Sequence, residues 1–314
     1  MQPHFNFQIK TLTLNNKKHN WLLISGIGMF CLGMVTSFFV DFNLAQNQKT
    51  FESYTRVGFP LFLVFAIFIA PIFEELSFRG GFVQSKILRA ISLIGLIIFF
   101  FLTQSYLTKA ITVLYLALLV FSFINKRMPL LIPLAILNAF LFALFHLDTD
   151  HLISWNALAG FSFRSAFAFF AIWICINFNL LKSILFHSVW NLSLVLVFSY
   201  SLFFPDETIQ HYENENIHVT WNRTSKKFHG KVNFPTMTHI KATSCEASFL
   251  LKSVLWSDTT ASHTDQFIPT ELFMDYHFEI KLKDSIAKQP NLYQPIKQFL
   301  LDEELLMITK PEEN

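Results

Sequence analysis

The stretch FIAPIFEELSFRGGF, residues 68–82, ends an otherwise lipid-facing run with two adjacent carboxylates. An ionised carboxylate in a bilayer interior costs roughly 2.5 kcal/mol or more unless it is paired, neutralised or turned towards water. Read as helix, the stretch sets Glu75 and Arg79 on one face at i and i+4 and turns Glu74 about 100° away. Arg79 can then hold Glu75 ionised, which leaves Glu74 less compensated and suited to act as a general base. The plainer alternative is a buried ion-pair network of both acids with Arg79, although two acids to one base leave a surplus.

The composition around this stretch is that of a polytopic membrane protein: 314 residues, 53% hydrophobic, with 39 Phe. Charge separates two unlike parts. Residues 1–204 hold 13 Lys/Arg against six acids (Asp41, Glu52, Glu74, Glu75, Asp148, Asp150), whereas residues 205–314 hold 11 Lys/Arg against 16 acids. Two of the six acids in the apolar part are therefore neighbours, a placement that scatter explains poorly. Cys31 and Cys175 sit in apolar runs and Cys245 stands alone in the polar part, so no internal disulfide framework is expected there.

Continuously apolar runs must satisfy their backbone groups internally, which makes them helices. Candidate spans are 21–41, 58–78, 88–107, 110–124, 130–147, 155–178 and 180–204, preceded by a polar tail at 1–20 that lacks the features of a cleaved signal peptide. The fold expected is thus an all-α polytopic membrane bundle of about 7 or 8 transmembrane helices over residues 21–204, with a C-terminal soluble β-rich domain over 205–314. Lys10, Lys17 and Lys18, then Arg79, Lys86 and Arg89, then Lys126 and Arg127 mark alternate helix ends as cytoplasmic. Arg164 inside the sixth span raises the alternative of two shorter pieces there. Pro71 is placed to bend the glutamate helix. In the C-terminal part, IHVTW, KFHGKVNF and FMDYHFEIKL carry the period-two alternation of half-buried strands. Its histidines show no zinc-finger spacing.

Two more polar intrusions lie in apolar runs. His146 ends the helix NAFLFALFHL one turn after Phe142, a position that a helix-end histidine also occupies for purely structural reasons. His187 and Asn191 share one face in ILFHSVWNLSLVL, where they can serve a substrate carbonyl, a water or a metal, or only fix helix packing. By helix rise, Glu74 lies roughly 22 Å from Arg89 and His146 roughly 24 Å from Leu130, so the two share a level. His187 is only ~10 Å into its helix, which favours a broken sixth span.

The three motifs in this order, E-E-x-x-x-R at Glu74, Glu75 and Arg79, F-x-x-x-H at Phe142 and His146, and H-x-x-x-N at His187 and Asn191, resemble the CPBP family of intramembrane endopeptidases, the CAAX prenyl protease 2 and bacteriocin-processing type. The resemblance covers about residues 58–200. It implies a helical core around a hydrophilic cavity and hydrolysis of peptide bonds near the membrane surface. On this resemblance Glu74 activates water, Glu75 and Arg79 position it, His146 assists, and His187 and Asn191 stabilise the oxyanion. No cofactor is favoured. Zn²⁺ is the alternative that two histidines and a glutamate leave open. The expected partners are a peptide or protein substrate, including a membrane-anchored one, and the lipid bilayer, with no nucleic acid. The expected place is a bacterial inner membrane. The competing function is a non-catalytic membrane scaffold or bacteriocin-immunity protein of the same architecture, and a transporter is disfavoured because paired inverted halves are not found.

Overall fold

The computed structural model describes residues 19–39, 58–125, 130–147, 154–227, 229–236, 238–255, 266–283 and 292–309. The polar tail up to residue 18 lies outside them, as do Asp41, Glu52, Lys126, Arg127, Asp148 and Asp150. Among the described residues the chain is mostly helical, with a β-sheet region at its C-terminal end.

An apolar helix falls in each of the seven apolar runs: α1 (Asn20–Ser37), the composite run Phe59–Phe82, α4 (Lys86–Leu102), α5 (Tyr106–Asn125), α6 (Leu131–Phe145), α7 (Trp155–Asn177) and α8 (Leu180–Phe203). Within the composite run, α2 (Phe59–Val64) leads through a π-helical turn (Phe65–Ile69) into α3 (Ala70–Arg79) and a closing 3₁₀ turn (Gly80–Phe82). Five helices are long and apolar enough to cross a membrane: α1, the composite run, α5, α7 and α8. The other two, α4 and α6, have 17 and 15 residues.

The expected break near Arg164 is corrected, because α7 runs unbroken for 23 residues. Without that break, the rings of His146 and His187 still both lie against Phe142, with centroids 4.6 and 6.0 Å away. Helix α7 descends past α6, where Phe142 and Phe167 pack with centroids 5.5 Å apart. It turns at Phe178 and Asn179, and α8 climbs back so that the His187 ring lies 4.5 Å from the same Phe167.

The chain forms two compact units. One holds α1 and Val64–Leu192. Its central helix is α7, whose buried face is rich in small side chains, including Ala159, Ser162, Ser165, Ala166, Ala168 and Ala171. Such faces let helices approach closely where lipid offers no hydrophobic drive between them. Helix α1 answers with Gly26 and Gly33, where a Cβ would run into the rings of Phe170 and Phe163.

The other unit comprises Leu44–Leu63, which includes the first residues of the composite run, and Ser193–Asn314. It contains a five-stranded antiparallel sheet in the order β1 (Gln210–Glu213), β2 (Ile217–Thr224), β6 (Asp275–Leu282), β4 (His239–Cys245), β3 (Lys231–Thr236). A two-stranded pair joins β5 (Gln266–Pro269) to β7 (Leu306–Thr309), and helices α9 (Ala247–Leu255) and α10 (Tyr293–Asp302) complete it. Register lines up Val219, Ile280 and Ile240 in one row and Trp221, Phe278 and Ala242 in the next. Phe299 of α10 closes on Trp221 and Phe278. The alternation read in IHVTW and FMDYHFEIKL is this buried face, whereas β3 is an edge strand with mostly exposed side chains.

Candidate functional site

Three helices of the first unit each present a stripe with a spacing of four: Pro71, Glu75 and Arg79 on α3, Asn138, Phe142 and His146 at α6, and Ser183, His187 and Asn191 on α8. Side chains four apart stack on one helix face, so three such stripes turned inward form a polar seam in an apolar bundle.

The inner layer centres on Glu75, which is fully buried. Its Oε2 accepts a hydrogen bond from Ser183 Oγ at 2.5 Å and lies 3.4 Å from Arg79 Nε. Its Oε1 lies 3.0 Å from His187 Nδ1. A hydroxyl, a guanidinium and an imidazole are all directed at this one carboxylate, and His187 is placed to donate to it through Nδ1–H. Arg79 is also fully buried, and its guanidinium lies over the ring of Phe142 at 4.4 Å, with the rings of Phe78 and Phe167 at 5.7 and 5.9 Å. Cation–π contact thus supports a charge whose nitrogens have no hydrogen-bond partner among the described residues.

The outer layer is Glu74 with the two histidines. His146 Nδ1 lies 2.8 Å from the Phe142 carbonyl, which can only accept, so the ring proton sits there and Nε2 turns towards Glu74. Glu74 Oε2 is 3.4 Å from His146 Nε2 and 3.7 Å from His187 Nε2. Both distances exceed those of a good hydrogen bond. The seam is least enclosed at this end, where the side chains of Glu74 and His146 are 16% and 34% exposed against 4% for His187, although Glu74 Oε2 itself is buried without a hydrogen-bond partner among the described residues. Of the expected residues, Glu74, Glu75, Arg79, His146 and His187 therefore form one connected group. Asn191 is placed differently, with Nδ2 donating to the Ala66 carbonyl at 2.7 Å.

Two elements of the site were not singled out from the sequence. Ser183 is one turn before His187 on the same face, and Asn138 one turn before Phe142. Asn138, fully buried, donates from Nδ2 to the Phe78 carbonyl and to Tyr115 Oη, both at 2.8 Å, and so fixes the C-terminal end of α3. Extending each motif backwards by four residues finds both.

Glu74, His146 and His187 carry the donor types of a zinc site, which needs N and O ligands at about 2.0–2.2 Å. Among the described residues, however, no group of three His, Cys, Asp or Glu side chains is arranged to hold a metal ion. Comparison of the chain with protein-family models, with curated proteins and with solved structures finds no match.

Proposed function

We propose that the chain is an intramembrane endopeptidase in which Glu74 activates the water that attacks a peptide carbonyl. The observation that carries this reading is the convergence of Glu74 Oε2 with the Nε2 atoms of His146 and His187, from three different helices, at the least enclosed end of a buried polar seam. The order and spacing of the three motifs, which resemble those of CPBP endopeptidases, support it as well.

A water set to one side of the three atoms, at ~2.8 Å from each, would donate one hydrogen to Glu74 and the other to a histidine Nε2, leaving a lone pair for the substrate. Glu74 takes a proton as the water oxygen bonds to the carbonyl carbon. It returns that proton to the leaving nitrogen as the C–N bond breaks. His146, the most exposed of the group, is within reach of incoming substrate, and His187 with a proton on Nε2 would donate to the oxyanion. Glu75, Ser183 and Arg79 hold His187 and the local charge. The reaction needs no step through a metal.

The test is peptide hydrolysis by detergent-solubilised protein. Glu74→Ala should abolish cleavage by the wild type, and a strong chelator should leave the wild type active. Equal activity of wild type and Glu74→Ala would sink the protease assignment and favour a peptide-binding membrane scaffold. Complete inhibition by chelator, reversed by added Zn²⁺, would overturn only the metal-free route.

A further inference from the structure

The π-helical turn upstream of Glu74 leaves the Ala66 carbonyl without a helical partner. The Ala70 N–H is donated to the Phe65 carbonyl, five residues back, and so is withdrawn from Ala66. In the same π register Ala66 would accept from residue 71, which is proline and has no N–H. The Ala66 carbonyl thus has no donor in either register, and Asn191 Nδ2 reaches it at 2.7 Å. The extra residue of a π turn rotates everything after it by about 100° relative to a continuous α-helix, which decides whether Glu74 or Glu75 faces a given neighbour.

On the reading of the site given above, we propose that Asn191 is a positioning residue: it locks the π turn made with Pro71 and so sets the rotation at which Glu74 meets the two histidines. An oxyanion role for Asn191 would need its amide at the substrate, whereas the hydrogen bond to Ala66 directs it to the glutamate helix. The interaction has a built-in control. Replacing Pro71 by a residue with an N–H gives the Ala66 carbonyl a backbone donor while the π turn is kept, which makes the Asn191 amide redundant.

The experiment is a double-substitution cycle of Asn191→Ala with Pro71→Ala in purified protein, with Pro71→Leu as a second background should the first fail to fold. Three quantities are read: the thermal unfolding midpoint, the histidine titrations by NMR, and the pH profile of peptide hydrolysis. Asn191→Ala alone should lower the midpoint by ~3 °C, shift the titration of His146 and His187, and displace the pH profile. In either Pro71 background the same substitution should change all three little. A loss of equal size in both backgrounds, or a uniform loss of turnover with titrations and pH profile unmoved, overturns the positioning role. The first two readouts do not need proteolysis, so rescue without any cleavage counts against the protease reading alone.

Discussion

At the scale of single residues, the two glutamates have different surroundings although they are neighbours. Glu75 is closed in by Ser183, His187 and Arg79, and Glu74 lies at the least enclosed end of the seam. Removing one partner of a buried ion pair strands the other, at a cost of about 3 kcal/mol or more. Glu75→Ala and Arg79→Ala should accordingly lower thermal stability in detergent sharply, whereas Glu74→Gln should leave it close to wild type. Arg79→Lys should also destabilise, since the planar guanidinium against Phe142 has no equivalent in an ammonium. Ser183→Ala, which removes a hydrogen bond to a charged group, should cost about 2 kcal/mol in the same measurement. Glu74, Glu75, Arg79, His146 and His187 were legible in the sequence because charge and imidazole are conspicuous in apolar helices. Ser183 was not, because a serine in such a helix commonly bonds its own backbone, as Ser162 does to the Leu158 carbonyl.

Among elements, helices were legible from apolar length alone, but the π turn was not. Pro71 announces a disturbed helix, yet whether the chain kinks or shifts register depends on a donor 125 residues away. The meeting of His146 and His187 at Phe142 was hidden for a related reason: the relative depth of helices is set by packing and turns, not by composition. The sheet unit offers a separate test. His277 on β6 accepts a hydrogen bond from the Ser244 N–H at 3.2 Å, in the irregular stretch of β4 where Ser244 has a φ of 49°. Burial, with Lys227 nearby, holds its imidazole below the ordinary value of 6.5. A histidine with a lowered folded value contributes stability that is present above its unfolded value and lost as pH falls through the folded one. The sheet unit should therefore unfold at lower temperature as pH drops from neutrality to ~5, and His277→Gln should flatten that dependence. A unit equally stable across this range would contradict the role given to His277. Cys245, pushed up to about 12 by burial, should resist thiol alkylation at pH 8 until the unit unfolds, which mass spectrometry can follow.

For the whole molecule, the charge pattern and the function make separate claims. Arg79, Lys86 and Arg89 flank one end of the glutamate helix, and Lys182 follows the turn between α7 and α8. If all seven apolar helices cross, these residues mark the cytoplasmic side, and the chain leaves α8 on the outer side. A reporter fused after Asn314 should then be active outside the cell, and activity inside would require a different number of crossings. The sequence separates an apolar part from a polar, strand-bearing part by charge and periodicity. The claim that this is a protease working through Glu74 is tested most directly by comparing the peptides released from membranes carrying wild-type protein with those from membranes carrying Glu74→Gln at equal abundance. The account predicts at least one peptide released only by the wild type, ending at a defined cleavage point, and identical peptide sets from the two membranes would contradict it.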